Sequence, residues 1–456
     1  MKFILYILMY IYIYTIFKNI IALIYINKWI KSAKKNRYII KDKKVLVYLI
    51  IPMLNEQKIA KKTYLNFKQL TQKMKNVKVM FVTTSKEVKK DGNLTTYEIL
   101  KELIKNDDKI FLCNYPQKTG VMAHQVNYAI KEIEKYRFNH EKIIIGVYNA
   151  DSKINVETIE YVLEKEENKN ENEDVCYQQY SWYKLCDNSK HKGIIASASL
   201  WQTRWSLTFE IFRVKQQEWI NTIYEKVNRF KILRPFNRIL HIVFEKMNYV
   251  IGHGFYMDID LLHKIGGFPE NTINEDAFLG YIINNKNIKI DVIPYLEKAD
   301  FAPSIPVYIK QQTTWVNGPI YAFEYLKLYK KNNKSKKSEK IRAFILAIKL
   351  FLHFIYWLAS PYILLFVLPI LLYKFYYILG LIMAILIILL ELPFTHYLVR
   401  KVIISNITEE EKCELAKPSV YCIIFFIIHS FGAIRNIYLQ AIGKNKMENK
   451  YKTERE

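Results

Sequence analysis

Two short stretches hold the residue types that could do chemistry. Asn274-Glu275-Asp276 opens an apolar run, Ala277–Ile283, that reads as a helix. Carboxylates at a helix N-terminus are favoured by the macrodipole and by the free N–H groups there. Glu275 and Asp276 therefore either cap that helix or present Asp276 as a general base at the mouth of a cleft. The second stretch, Asn149-Ala150-Asp151-Ser152, closes a strand-like run. Asp151 either caps the segment starting near residue 155 or holds a divalent cation by oxygen ligation, with Asn149 as a neutral oxygen donor. Together the two aspartates are the minimum set for transfer from a nucleotide-diphosphate carrier. One holds a metal on the phosphate leaving group, and the other deprotonates an attacking hydroxyl.

These groups need a scaffold that brings strand ends together. Residues 44–51 (KVLVYLII) are apolar and β-branched, as in a buried parallel strand, and a helical segment follows to about 74. The pattern repeats with strands at 77–84, 109–114 and 142–149 and helices at 95–105 and 120–137. Strands are also expected just before the glycines at 252–254, at 193–200 and at 288–295. A charged loop is expected at 165–174 and a long helix over 203–230. Alternation of this kind predicts a doubly wound parallel sheet, with ligands at the carboxyl ends of the strands. The polar clusters Asn55-Glu56, Thr83-Thr84-Ser85 and Asn149–Ser152 fall there. There is no GxGxxG and no GxxxxGK[ST], which excludes a dinucleotide fingerprint and a P-loop.

The chain has 456 residues, is 51% hydrophobic and carries a formal charge of +25, yet its mean hydropathy is close to zero. Apolar blocks must therefore alternate with very polar ones. Residues 3–26 are apolar apart from Lys18 and long enough to span a bilayer, which takes roughly 20 residues. The basic cluster from Lys28 to Lys44 follows, so the positive-inside rule puts the polar part in the cytoplasm. An aromatic, amphipathic helix over 305–329 suits a membrane surface. Residues 343–397 are apolar and divided near Lys374, and 419–441 form a further span. The lysines are scattered rather than clustered on one face, so no nucleic-acid partner is expected. The five cysteines have no metal or disulfide spacing. A transporter is disfavoured by few spans with little intramembrane charge.

Four elements occur in order: Ile51-Pro52-Met53-Leu54-Asn55-Glu56, Asn149–Ser152, Gly266-Gly267-Phe268-Pro269 with Glu275-Asp276, and Gln311-Gln312-Thr313-Thr314-Trp315. Together they resemble the membrane-bound family 2 glycosyltransferases, the group of the cellulose, chitin and hyaluronan synthases, over about residues 44–320. The resemblance implies an α/β fold of the GT-A type in a cytoplasmic domain over 40–330. A transmembrane helix at 1–27, a transmembrane region at 341–443 and a polar tail at 444–456 would flank it, in the inner or plasma membrane. It implies Asp276 as catalytic base beside Glu275. Pro52, Asn55, Glu56, Lys118, Gly120, Asn127, Asn149, Asp151, Gln311, Thr314 and Trp315 would lie on the donor side, with His253 and Gly254 toward the acceptor. Asp151 would hold Mg2+ or Mn2+. The partners would be a nucleotide sugar, a carbohydrate or lipid acceptor and the bilayer. Two positions depart from the family pattern: Asn149 replaces the first Asp of Asp-x-Asp, and Thr314 replaces the Arg of Gln-x-x-Arg-Trp. The implied activity is inverting transfer from a UDP-sugar. The alternatives are a processive synthase and an impaired scaffold in a polysaccharide assembly. Gln202-Thr203-Arg204-Trp205 spells similar chemistry but precedes Asp276, and reads as an acceptor-side or packing segment.

Overall fold

A computed structural model describes residues 1–35, 45–89, 93–105, 107–137, 142–170, 173–185, 193–332 and 336–444. Its strands in chain order are β1 (Val45–Pro52), β2 (Val77–Thr84), β3 (Ile110–Tyr115), β4 (Lys142–Val147), β5 (Val175–Gln178), β6 (Ser181–Lys184), β7 (Phe255–Asp258), β8 (Lys289–Val292) and β9 (Glu297–Asp300). The helices begin with α1 (Lys2–Lys35), α2 (Ala60–Lys73), α3 (Thr96–Ile104), α4 (Met122–Glu134), α5 (Val156–Asn168), α6 (Ile194–Trp205), α7 (Phe212–Val227), α8 (Arg234–Phe244) and α9 (Ile259–Ile265). They continue with α10 (Glu275–Asn285), α11 (Ile305–Trp315), α12 (Asn317–Ile320), α13 (Ala322–Asn332), α14 (Lys337–Tyr362), α15 (Leu368–Leu389), α16 (Thr395–Ile404), α17 (Glu409–Lys412) and α18 (Tyr421–Ala441). The described residues divide into two compact units. A helical unit falls within Met1–Lys35, Ser181–Met247 and Lys298–Asn445, and a sheet unit within Asn36–Tyr180 and Asn248–Glu297.

The sheet unit is a seven-stranded sheet of order β3-β2-β1-β4-β7-β5-β8. Val47, Leu49, Ile51, Phe81 and Ile144 are completely buried, which explains why these strands read as unbroken apolar runs. The sheet is mixed rather than all parallel. β1, β2, β3 and β4 run parallel, but β7 enters antiparallel between β4 and β5. β7 starts after Gly254, whereas the sequence reading placed a strand before these glycines; residues 249–252 are not in a strand. The charged stretch after 165 also differs from expectation, because α5 continues through its first four residues. Glu166 there is buried and bonded to Lys142, Lys169 and Tyr177, so its charge is answered within the fold.

In the helical unit, residues 193–200 are a helix and not a strand. A short apolar run is ambiguous between a buried strand and a buried helix. Here Ala196, Ser197, Ala198 and Ser199 are all buried, and the Ser197 hydroxyl donates to the Gly193 carbonyl at 3.0 Å within the helix turn. The stretch 305–329 is broken into α11, α12 and the start of α13 rather than one helix. Most of α11's last turns are buried, and α11 packs on α18. Gly432 allows this contact, since a Cβ there would lie 2.5 Å from the Gln312 Cβ.

Among the described residues, three helical runs are long and apolar enough to cross a membrane: Lys2–Lys35, Lys337–Ile404 and Tyr421–Ala441. The second is interrupted at Tyr377, with φ 50° and ψ −131°. A Cβ on Gly380 would lie 2.1 Å from the Leu372 carbonyl oxygen. Eight residues of straight helix would separate these positions by about 12 Å, so the chain folds back at Tyr377, near the division expected at Lys374. The spans are less free of charge than the sequence suggested. Arg204 is buried and bonds to both the carboxylate and the carbonyl of Glu391, which also accepts from Asn19.

Candidate active site

The carboxyl ends of β1, β2 and β4 and the N-termini of α4 and α10 build the site in the sheet unit. α10 is positioned by an amide clamp. Asn284 Nδ2 donates to the Asn248 carbonyl at 2.8 Å, and the Asn248 N–H donates to Asn284 Oδ1 at 3.1 Å. This lays residues 248–252 along α10, and the Gly252 N–H donates to Asp276 Oδ2 at 3.1 Å. Asp276 is half-buried, and its Oδ1 accepts from the Ala277 N–H at 2.8 Å. Two backbone donors and the helix N-terminus thus orient the carboxylate and favour its ionised form. A Cβ on Gly252 would sit 3.4 Å from Asp276 Oδ2 and 3.2 Å from Met122 Cε at the start of α4. Glu275, next in the chain, is buried.

The Gly252–Gly254 loop is held from the other side by Gln178 and Gln179. Gln178 accepts from the Ile251 N–H and donates to the His253 carbonyl. Gly254 has φ 64°, and a Cβ there would meet the Gln179 carbonyl oxygen at 2.8 Å, so only glycine fits without strain. Gln179 itself belongs to a buried chain in which the Tyr256 hydroxyl donates to that of Tyr148, which donates to Gln179 Oε1. Between the glycines, His253 Nδ1 lies 2.7 Å from Oε2 of the buried Glu297. Val147 opposite Phe255 in the β4–β7 ladder brings the Asn149–Asp151 turn and this loop to one edge of the sheet. The turn is tied down by Thr63, whose hydroxyl donates to the Ala150 carbonyl at 2.8 Å. Asp151 is exposed and Asn149 half-buried.

Pro52 ends β1, and Asn55 follows with φ 52°. Glu87 fixes this turn, accepting from the Asn55 N–H, the Gln57 amide and the Thr96 N–H. Glu56 is buried, its N–H donating to the Thr96 hydroxyl. Gln125 of α4 donates to the Met53 carbonyl, joining α4 to the end of β1. Lys118 is exposed ahead of α4, and Gly120 has φ 104°. Asn127 is engaged within the protein. Its Nδ2 donates to the Phe268 carbonyl and to Glu270, and its Oδ1 accepts from the Phe268 N–H. The geometry makes Asn127 the anchor of the Gly-Gly-Phe-Pro turn. The contributions of Glu87, Gln178 and Glu297 were not visible in the sequence, because each exists only through contacts distant in the chain.

Gln311, Thr314 and Trp315 belong to α11 of the helical unit. The Thr314 hydroxyl turns back to the Lys310 carbonyl at 3.4 Å, and Trp315 is exposed. The neighbouring Gln312 is buried, with neither amide atom hydrogen-bonded. A cation does lie near the position where the family pattern has Arg: Arg435 of α18 donates to the Thr313 hydroxyl at 3.4 Å. The segment Gln202–Trp205 forms the end of α6.

Among the described residues, no group of three or more His, Cys, Asp or Glu side chains gathers as a metal cage. A single carboxylate at an exposed position, such as Asp151, fits Mg2+ or Mn2+. Such an ion is commonly bound through one or two carboxylates, with the remaining ligands from substrate phosphates and water.

Residues 221–394 match the family model described as "Glycosyl transferase family group 2". No curated protein sequence matches the chain. Among solved structures it is similar to the mannosyltransferase PcManGT from Pyrobaculum calidifontis in complex with GDP-Man and Mn2+. That match has 13% identity over 94% of this chain and 99% of that one, with a TM-score of 0.43. It is also similar to S. aureus TarS 1-349, at 13% identity over 87% of this chain and 92% of that one, with a TM-score of 0.38. The matched segment 221–394 contains Glu275, Asp276 and α11.

Proposed function

We propose that the chain is an inverting, membrane-embedded glycosyltransferase. It moves a sugar from a nucleotide-diphosphate donor, a UDP-sugar, to a hydroxyl of a carbohydrate or lipid acceptor in surface polysaccharide or glycolipid synthesis. The observation that carries this reading is Asp276, oriented by Gly252 at the N-terminus of α10. Its carboxylate takes the acceptor's hydroxyl proton as that oxygen attacks the anomeric carbon. The bond from that carbon to the diphosphate oxygen breaks, its electron pair leaves with the diphosphate, and the configuration inverts. Asp151 and Asn149 would hold a Mg2+ or Mn2+ ion, which when bound offsets negative charge on the departing diphosphate. Asn55, Glu56, Lys118 and Gly120 flank the donor. Glu297 orients the His253 imidazole toward the acceptor side, and the paired sites hold both substrates for in-line attack. The basic residues after Lys28 place the catalytic part in the cytoplasm of a multi-pass protein of the inner or plasma membrane.

The test is a screen of radiolabelled UDP- and GDP-sugars against membranes containing the protein, with Mn2+ and with excess EDTA. Transfer from one UDP-sugar that EDTA abolishes is the expected result. Full transfer in EDTA would remove the metal from the mechanism, and transfer from GDP-sugars alone would overturn the donor assignment.

A further inference from the structure

The helical unit encloses a cavity of about 430 Å³ between α1, α6 and its continuation to Arg213, the end of α8, and α14. Five cations line it: Lys18, Arg204, Arg213, Lys246 and Lys349. Glu391 answers Arg204. Glu245, the one carboxylate in the lining, is bonded to Arg342. Lys349 Nζ donates to the carbonyls of Ile242 and Glu245 at 2.8 and 2.6 Å, which supply no negative charge. Among the described residues the ammonium groups of Lys18 and Lys246 have no hydrogen bond and no ion pair. The indole N–H of Trp201, a buried lining residue, has no acceptor either. Cations collected against aromatic and apolar walls are unfavourable unless an anion joins them. The cavity thus lacks an anionic acceptor bonded to the ammonium groups of Lys18 and Lys246.

The rim indicates where that anion comes from. Val243, Phe244 and Leu352 line the cavity and are also more than half exposed. Val243 and Phe244 continue the exposed apolar face of α8 formed by Phe236 and Ile239, at helical spacing. Such a face suits the boundary between headgroups and acyl chains. A soluble anion needs no apolar rim, whereas a lipid places its headgroup inside and its chains along that face.

We propose that this cavity binds a membrane lipid through a phosphate headgroup, with Lys18 and Lys246 as its principal charged partners. The site stands on the helical unit alone and does not rest on the transfer reaction.

The experiment is native mass spectrometry of the full chain in detergent, titrated with dioleoyl phosphatidic acid or with dioleoylglycerol, which has the same chains and no phosphate. Phosphatidic acid is expected to bind saturably with one lipid per chain and at least tenfold more tightly than dioleoylglycerol. Lys18→Gln with Lys246→Gln should weaken it at least tenfold, while Lys18→Arg should stay within threefold of wild type. Asp276→Asn should bind the lipid like wild type, which separates this site from catalysis. Equal binding of the two lipids by the unmodified protein would overturn the proposal, as would an unaffected double variant. Displacement of phosphatidic acid by equimolar inorganic phosphate would overturn the lipid source and leave a soluble-anion site.

Discussion

The two units treat polar side chains in opposite ways. In the sheet unit the amide side chains that frame the site are matched inside the protein: Asn127 to the Phe268 turn, Asn284 to the Asn248 backbone, Gln178 to the glycine loop, and Gln179 to Thr158 and the Tyr295 carbonyl. What projects there is a small set, chiefly Asp276 on the first turn of α10 and Asp151 after β4. In the helical unit cations gather around a cavity that holds only one carboxylate, and that carboxylate is already bonded to Arg342. A satisfied network makes a rigid frame for chemistry. An unbalanced one makes a receptor whose electrostatics are completed by what binds.

Substitutions in the sheet unit can break this contrast. The largest effect short of the base itself is expected at Asp151. Asp151→Ala should lower transfer on the order of 10²-fold, as for loss of one group that stabilises developing charge, with thermal unfolding in detergent unchanged. A parallel loss of melting temperature would make Asp151 a cap rather than a ligand. Next comes Gly254→Ala, which sets a Cβ against the Gln179 carbonyl in a left-handed conformation. It should cost roughly 1–3 kcal/mol by denaturant unfolding, and transfer should fall as the loop shifts. Wild-type stability would mean the loop is not tightly held. The smallest effect belongs to Arg137, whose guanidinium pairs with Asp260 at 2.7 and 2.8 Å and holds that carboxyl below its ordinary range. A depressed carboxyl stabilises the fold above the unfolded pKa, near pH 4, and that contribution disappears as pH falls through the folded value. Asp260 is largely exposed, so Arg137→Ala should lose at most about 0.5 kcal/mol at neutral pH. The difference from wild type should vanish at pH 2.

Much of the sheet unit was legible in the sequence because strands buried on both faces leave unbroken apolar runs, and each run ends in a polar turn. Asp151 could be singled out because it sits at such an end, and Asp276 because it opens an apolar helix. The strands β5, β6 and β9 were missed or only adjacent to what was expected. They have four residues each, and SWYK and EKAD carry no clear alternation. The antiparallel entry of β7 depends on the path of the chain after α8, which no local pattern encodes. Among the described residues Cys113, Cys176, Cys413 and Cys422 are free, while Cys186 lies outside them. So do the basic residues 36–44 and the tail beyond 444. Lys18 looked like an isolated interruption of an apolar helix. Its role became visible only when Lys246 and Lys349, more than 200 residues away, were brought to the same cavity.

The most direct measurement compares Asp276→Asn with wild type in two assays on the same preparation: binding of the UDP-sugar and its transfer. The asparagine keeps the size of the side chain and its acceptor for the Gly252 N–H but cannot take a proton at neutral pH. Donor affinity within about threefold of wild type, with transfer reduced by about 10²–10⁴-fold, is the predicted result. Transfer at the wild-type rate would contradict Asp276 as the base.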